Sequence, residues 1–99
     1  MNSLFRRHYL ITYDISSDKR RTKLFKMLEG EGDHAQYSVF FCELNAMALA
    51  GLRARISQTI HDREDQVLIL DLGPAERPIN NGLEVLGTPY DPLTRTLVV

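Results

Sequence analysis

From His8 to Asp14 the chain reads His-Tyr-Leu-Ile-Thr-Tyr-Asp, rich in β-branched and aromatic residues, and predicts a strand ending in a carboxylate. Ser16, Ser17 and Asp18 then offer N-cap chemistry. A helix follows from Ser17 to about Glu29, with Leu24, Phe25 and Leu28 as its apolar stripe. Gly30 and Gly32 end it. Ala35 to Leu44 has strand composition throughout and no turn signal inside it. Asn45 can cap a second helix whose apolar face is Leu49, Leu52, Ile56 and Ile60. His61 to Asp65 reads as a polar turn. Gln66 to Leu72 is an apolar strand stopped by Gly73-Pro74. A polar loop holding Asn80-Asn81-Gly82 leads to a short strand, Leu83 to Leu86, and then to a tail with Tyr90-Asp91-Pro92 as a turn.

Strands and helices in this order fit an α+β sandwich with both helices on one face of a mainly antiparallel sheet. The ferredoxin-like βαββαβ arrangement is the natural candidate. It needs two strands between the helices, and the sequence shows one ten-residue run. Either that run bends into two strands or the sheet is built differently.

One local conflict stands out. Lys19, Arg20, Arg21 and Lys23 occupy the first turns of the first helix, where the macrodipole is positive and cations are unfavourable. Such inconsistencies concentrate where function sits. Oriented N–H groups, several cations and the carboxylate of Asp14 suit a phosphodiester held beside a metal.

Composition sets the frame. Ninety-nine residues make one small domain, spanning 1–99, whose modest core would gain from oligomerisation. The formal net charge of −1 hides a split. Residues 1–28 carry seven cations and two acids, a net +5, against five cations and eleven acids, a net −6, in the rest. The basic quarter is either a phosphate-facing patch or a solvated helix face. Cys42 is the lone cysteine and excludes an intrachain disulfide; it reads as a buried core thiol in a reducing, cytoplasmic setting. No run approaches the roughly 18 apolar residues of a membrane span, and the first residues hold no signal-peptide core.

Tyr13-Asp14-Ile15 closing a strand, Asp18-Lys19-Arg20-Arg21 opening a helix, and Gln36-Tyr37-Ser38-Val39-Phe40 at the matching distance together resemble the CRISPR-associated protein 2 family. The likeness covers roughly residues 8 to 86. It implies the ferredoxin-like fold, a division of the middle run near Ser38, and a homodimer in which the last short strand pairs across to the partner's sheet. It further implies a subunit of spacer acquisition that bridges dimers of the integrase, CRISPR-associated protein 1, and holds duplex DNA. Family members are also described as metal-dependent nucleases on RNA or double-stranded DNA.

Asp14 matches the family's metal-binding aspartate, with Mg2+ or Mn2+ as the expected cation. A twofold dimer would bring a second Asp14 to the same cleft. Lys19, Arg20, Arg21 and Lys23 would contact phosphates without reading sequence. Tyr13 and Phe40 sit at matching positions and serve either there or in the core. Ser38 could bond near the metal or mark the strand bend. Many relatives carry arginine where this chain has His34, a weaker and pH-dependent phosphate partner that could instead act in proton transfer. Residues 88–99 form a tail that could dock on a partner.

Two other functions compete with an integration adaptor carrying a nuclease site. One is a stand-alone, toxin-type metal-dependent ribonuclease of the same fold. The other is a non-catalytic module for single-stranded RNA, for which Tyr37 and Phe41 are the aromatic candidates.

Overall fold

A computed structural model describes residues 5–90. The element order is β1 (Arg6–Asp14), α1 (Asp18–Glu29), β2 (Gly32–Gln36), β3 (Val39–Asn45), α2 (Ala46–Thr59) and β4 (Gln66–Pro74), followed by a 3-10 turn at Ile79–Asn81. The strands form one antiparallel sheet in the order β2-β3-β1-β4. This is the expected α+β, βαββαβ arrangement.

Strand alternation decides the layers. Tyr9, Ile11 and Tyr13 of β1 and Phe40, Cys42 and Leu44 of β3 are buried against Leu24 and Leu28 of α1 and Leu52 and Ile56 of α2. Val67 and Ile69 of β4 join the edge of that core. The caps expected for both helices form: Ser17 Oγ accepts from the Arg20 N–H and Asn45 Oδ1 from the Ala48 N–H.

The middle run does divide. Tyr37 and Ser38 form a two-residue turn between β2 and β3, and β2 begins earlier than composition suggested, at Gly32. The first position of this strand needs glycine, because a Cβ on Gly32 would lie 2.3 Å from the Phe41 carbonyl oxygen and 2.6 Å from Cys42 Sγ. β4 also runs further than expected. Gly73, at φ 105°, lets the strand pass a register shift opposite His8 and Tyr9 and continue to Pro74.

The short strand expected at Leu83 to Leu86 is not formed in the single chain. A strand exists only with a ladder partner, and here residues 83–86 pair with no strand among the described residues. Of the docking tail expected at residues 88–99, residues 91–99 lie outside the described residues.

The sheet face away from the helices is apolar. Leu68 and Leu70 are 53% and 56% exposed, and Leu10, Phe41 and Leu72 line shallow grooves beside them. Leu83 to Leu86 and Tyr90 lie over part of this face, with the Tyr90 ring against Phe41 at 5.8 Å. None of the described helices is long and apolar enough to cross a membrane.

Candidate active site at the end of the first strand

Asp14 is the last residue of β1, opposite Gln66 of β4. It is exposed, and its carboxylate makes no hydrogen bond or ion pair among the described residues. Alternation places it on the open face of the sheet with Leu10 and Thr12, away from the helices.

The loop that follows Asp14 is held from two sides. Arg21 Nη1 donates to the Ile15 carbonyl at 2.8 Å while its Nη2 pairs with Asp18. The Ser16 N–H donates to Asp65 Oδ1 at 3.0 Å. Asp65 also accepts from Arg20 Nε at 2.7 Å and from the His61 N–H at 2.8 Å, and its side chain is fully buried. Arg20, chiefly, and these backbone donors hold the Asp65 carboxyl well below the usual carboxylate range, against the opposing effect of burial. Glu64 Oε1 takes the outer Arg20 nitrogen at 3.1 Å.

The four helix-start cations therefore divide into two kinds. Arg20 and Arg21 spend their charge on Asp65, Glu64 and Asp18 and on fixing the Asp14 loop. Lys19 and Lys23 are exposed and have no ion-pair partner among the described residues. Lys26 continues their line, since positions 19, 23 and 26 share one helix face opposite Leu24 and Leu28. The helix-start conflict is thus relieved for the two arginines by acids that follow α2. Asp65 and Glu64 were unremarkable members of a polar turn in the sequence. The signal that pointed to them was indirect: a cationic helix start needs counter-charge, and His61 to Asp65 carries three acids.

Tyr13 lies inside the core, its ring stacked near Phe40 at 6.4 Å. Burial raises the Tyr13 phenol's pKa, the Tyr37 phenol adds to that rise, and the Arg21 cation opposes it. Ser38 meets β1 through its backbone, its carbonyl accepting from the Tyr13 N–H at 3.2 Å. His34 is not a loop residue. It sits in β2, half-buried, with its ring 4.9 Å from Phe40 and edge-on to Phe25 at 5.0 Å. Its strand position pairs with Phe40, so it belongs to the helix-side face, whereas Asp14 belongs to the other. The structure thus gathers Tyr13, Ser38, Arg21 and Tyr37 at one end of the sheet beside Asp14, and sets His34 and Phe40 into an aromatic cluster behind it.

No group of three or more His, Cys, Asp or Glu side chains is placed to hold a metal among the described residues. One chain gives a divalent cation a single carboxylate. That donor set suits magnesium only if water, phosphate or a second carboxylate completes the shell.

Comparison with known proteins bears directly on this geometry. The family model for CRISPR associated protein Cas2 matches residues 7–77. The chain is 38% identical over 91 residues to the CRISPR-associated endoribonuclease Cas2 of Geobacter sulfurreducens, covering 92% of this chain and 95% of the relative. Among solved structures it resembles a hypothetical protein from Thermus thermophilus at 32% identity and TM-score 0.73, over 87% of this chain and 99% of that one. Streptococcus pyogenes Cas2, crystallised at pH 6.5, matches at 26% identity and TM-score 0.71, over 81% and 99% of the two chains. With its βαββαβ sandwich and a strand-end aspartate, the chain belongs to the CRISPR-associated Cas2 family.

Proposed function

We propose that this protein works in CRISPR spacer acquisition as a homodimer that bridges dimers of the integrase, CRISPR-associated protein 1, and holds donor duplex DNA. The same dimer carries a metal-dependent phosphodiester-cleaving site at its paired Asp14 residues. The observation that carries this reading is the exposed, unpaired Asp14 carboxylate at the rim of an open apolar sheet face. A second copy packed on that face by twofold symmetry repeats every group, so each Asp14 gains a counterpart. Family membership supports the setting, and the Geobacter relative's name supports nuclease chemistry.

Within this reading, Asp14 would hold Mg2+ or Mn2+, and such a metal would supply positive charge for the phosphate and a more acidic water. The chain's own work is positional. Arg21 holds the Ile15 carbonyl and Asp65 holds the Ser16 N–H, fixing the backbone that presents Asp14. Lys19 and Lys23, with Lys26 behind them, take backbone phosphates. Residues 88–99 serve as the docking tail.

The test is in vitro integration with the cognate integrase and a duplex donor, comparing wild type with Asp14→Ala. In parallel, the protein alone is assayed for RNA and duplex DNA cleavage with Mg2+ and with chelator. Loss of chelator-sensitive cleavage in a variant that still dimerises supports the catalytic role. Normal integration by that variant separates scaffold from nuclease. Unchanged cleavage would remove Asp14 from the chemistry.

A further inference from the structure

Gln66 opens β4 directly opposite Asp14, the last residue of β1. The alternation of the two strands fixes which way both side chains point. Val67 and Ile69 pack on the core while Leu68 and Leu70 are exposed, so Gln66 stands on the open face with the two leucines. Tyr13 is buried and Asp14 exposed, which puts the carboxylate on that same face. Partners directly opposite on one face of an antiparallel pair hold their Cβ atoms about 4.5–5.5 Å apart. The β1–β3 ladder stops at Thr12 and Val39, so Gln66 is the one ladder partner of Asp14 among the described residues. Both are exposed, and neither side chain has a hydrogen bond or ion pair among the described residues.

An exposed glutamine at the start of a strand is ordinary; what stands opposite this one is not. The face they share is otherwise apolar, with Leu10, Phe41, Leu68 and Leu70 along it. Covering it with a second copy takes the amide and the carboxylate out of water together, and each then needs a partner. Two ionised carboxylates cannot serve each other, since both only accept. A divalent cation can serve both, and glutamine carbonyl oxygens are regular ligands of hard cations. The glutamine side chain is one methylene longer than that of aspartate, so its oxygen reaches the space above the neighbouring carboxylate. Twofold symmetry makes this two carboxylates and two amides, a donor set of charge −2 that one divalent cation neutralises. A glutamate at position 66 would face Asp14 as a like-charge cross-strand pair, which is destabilising. The amide offers an oxygen without that repulsion.

We propose that Gln66 is a second oxygen donor to the divalent cation at Asp14, a ligand that β4 brings to the end of β1. This rests on the metal reading of Asp14 above and adds to it a neutral ligand from a different strand. Thr12 shares the face but sits two residues back along β1, opposite Leu68, and is not the neighbour of the carboxylate.

The experiment measures Mn2+ binding to the full chain without nucleic acid, through loss of the free-ion electron paramagnetic resonance signal. Wild type, Asp14→Ala, Gln66→Leu and Gln66→Glu are compared. Sedimentation gives the mass of each, and thermal melts are run in chelator and in Mn2+. Gln66→Leu should bind Mn2+ about 10-fold more weakly, with its mass and its melting point in chelator unchanged. Gln66→Glu should melt below wild type in chelator and gain more from Mn2+ than wild type does. Wild-type affinity in Gln66→Leu, a weakening that only follows a loss of mass, or no extra gain in Gln66→Glu overturns the proposal while Asp14 remains the ligand. If wild type binds no Mn2+, or Asp14→Ala binds it as wild type does, the metal reading of Asp14 falls and the proposal with it.

Discussion

Arg20 and Asp65, 45 positions apart in the chain, meet in a two-pronged pair, Nε to Oδ2 at 2.7 Å and Nη2 to Oδ1 at 3.2 Å. The pair ties the first turn of α1 to the loop before β4. Because Asp65 also accepts from the Ser16 N–H, it fixes the segment just after Asp14. Replacing Asp65 takes away one of the two counter-charges of half-buried Arg20 and the negative charge that the Ser16 and His61 N–H groups point at. Asp65→Asn should therefore lower the melting temperature by several degrees and loosen the Asp14 loop. Thermal unfolding and amide exchange at Ser16 read the two effects separately.

The same carboxylate gives a pH signature. Its folded pKa is depressed, so the stability it contributes is fully present above the unfolded value of about 3.9 and is lost as pH falls below it. Wild type should lose stability through that acid window, with Asp71, held down by the Gly73 N–H and by Arg7, contributing in the same direction. Asp65→Asn should show a shallower acid limb in denaturant titrations at successive pH values. An equally steep limb would place the acid sensitivity elsewhere.

Cys42 titrates at the other end of the scale. Burial, with Glu31 and Asp33 adding to it, pushes its thiol up to about 12. The thiolate that reacts with disulfide reagents is therefore scarce in the folded protein near neutral pH. Labelling should be slow in buffer and immediate in denaturant, which makes Cys42 a reporter of unfolding. Because the folded pKa is raised, the associated stability is present below the unfolded value of about 8.5 and lost above it. Cys42→Ala should remove that part of the alkaline limb.

Local chemistry carried most of the fold. Ser17 and Asn45 are caps that sequence names directly, and the Leu24/Leu28 and Leu52/Ile56 stripes set the helix faces. The Tyr37-Ser38 turn was invisible to residue-level signals for a physical reason. No non-glycine residue described has positive φ, so this turn uses none of the Gly or Asn chemistry that marks most two-residue hairpins. The family likeness, not composition, supplied it. The place of Asp14 at the end of β1 was legible because a strand-ending acid is a local feature. The Arg20–Asp65 pair was not, since it depends on how β1 and β4 come together. Leu83 to Leu86 failed as a strand in one chain because its apolar run was readable and its pairing partner was not.

The split between arginines and lysines on α1 makes a prediction about salt. Each lost phosphate contact lowers the salt slope of duplex binding by about 0.9. Lys19→Ala, Lys23→Ala and Lys26→Ala together should weaken binding and flatten the slope with little change in melting temperature. Arg20→Ala should instead cost thermal stability, because its charge is committed to Asp65 and Glu64. Binding measured across a salt series, beside thermal melts of the same variants, distinguishes the two. A slope unchanged in the triple variant would leave the lysine line as a solvated face.

The open sheet face makes the sharpest demand on assembly. Leu68 and Leu70 are more than half exposed beside Leu10 and Phe41, and a chain of this size gains from covering such a surface. In the proposed homodimer a second copy covers this face and brings two Asp14 residues together. Leu70→Glu should therefore yield a folded monomer, because the side chain points away from the helices and the core on the other face is untouched. Sedimentation equilibrium against wild type gives the mass, and circular dichroism confirms the fold. Metal-dependent cleavage should fall with dimerisation if the site needs both carboxylates. A monomeric variant that cleaves as well as wild type would place the whole site within one chain.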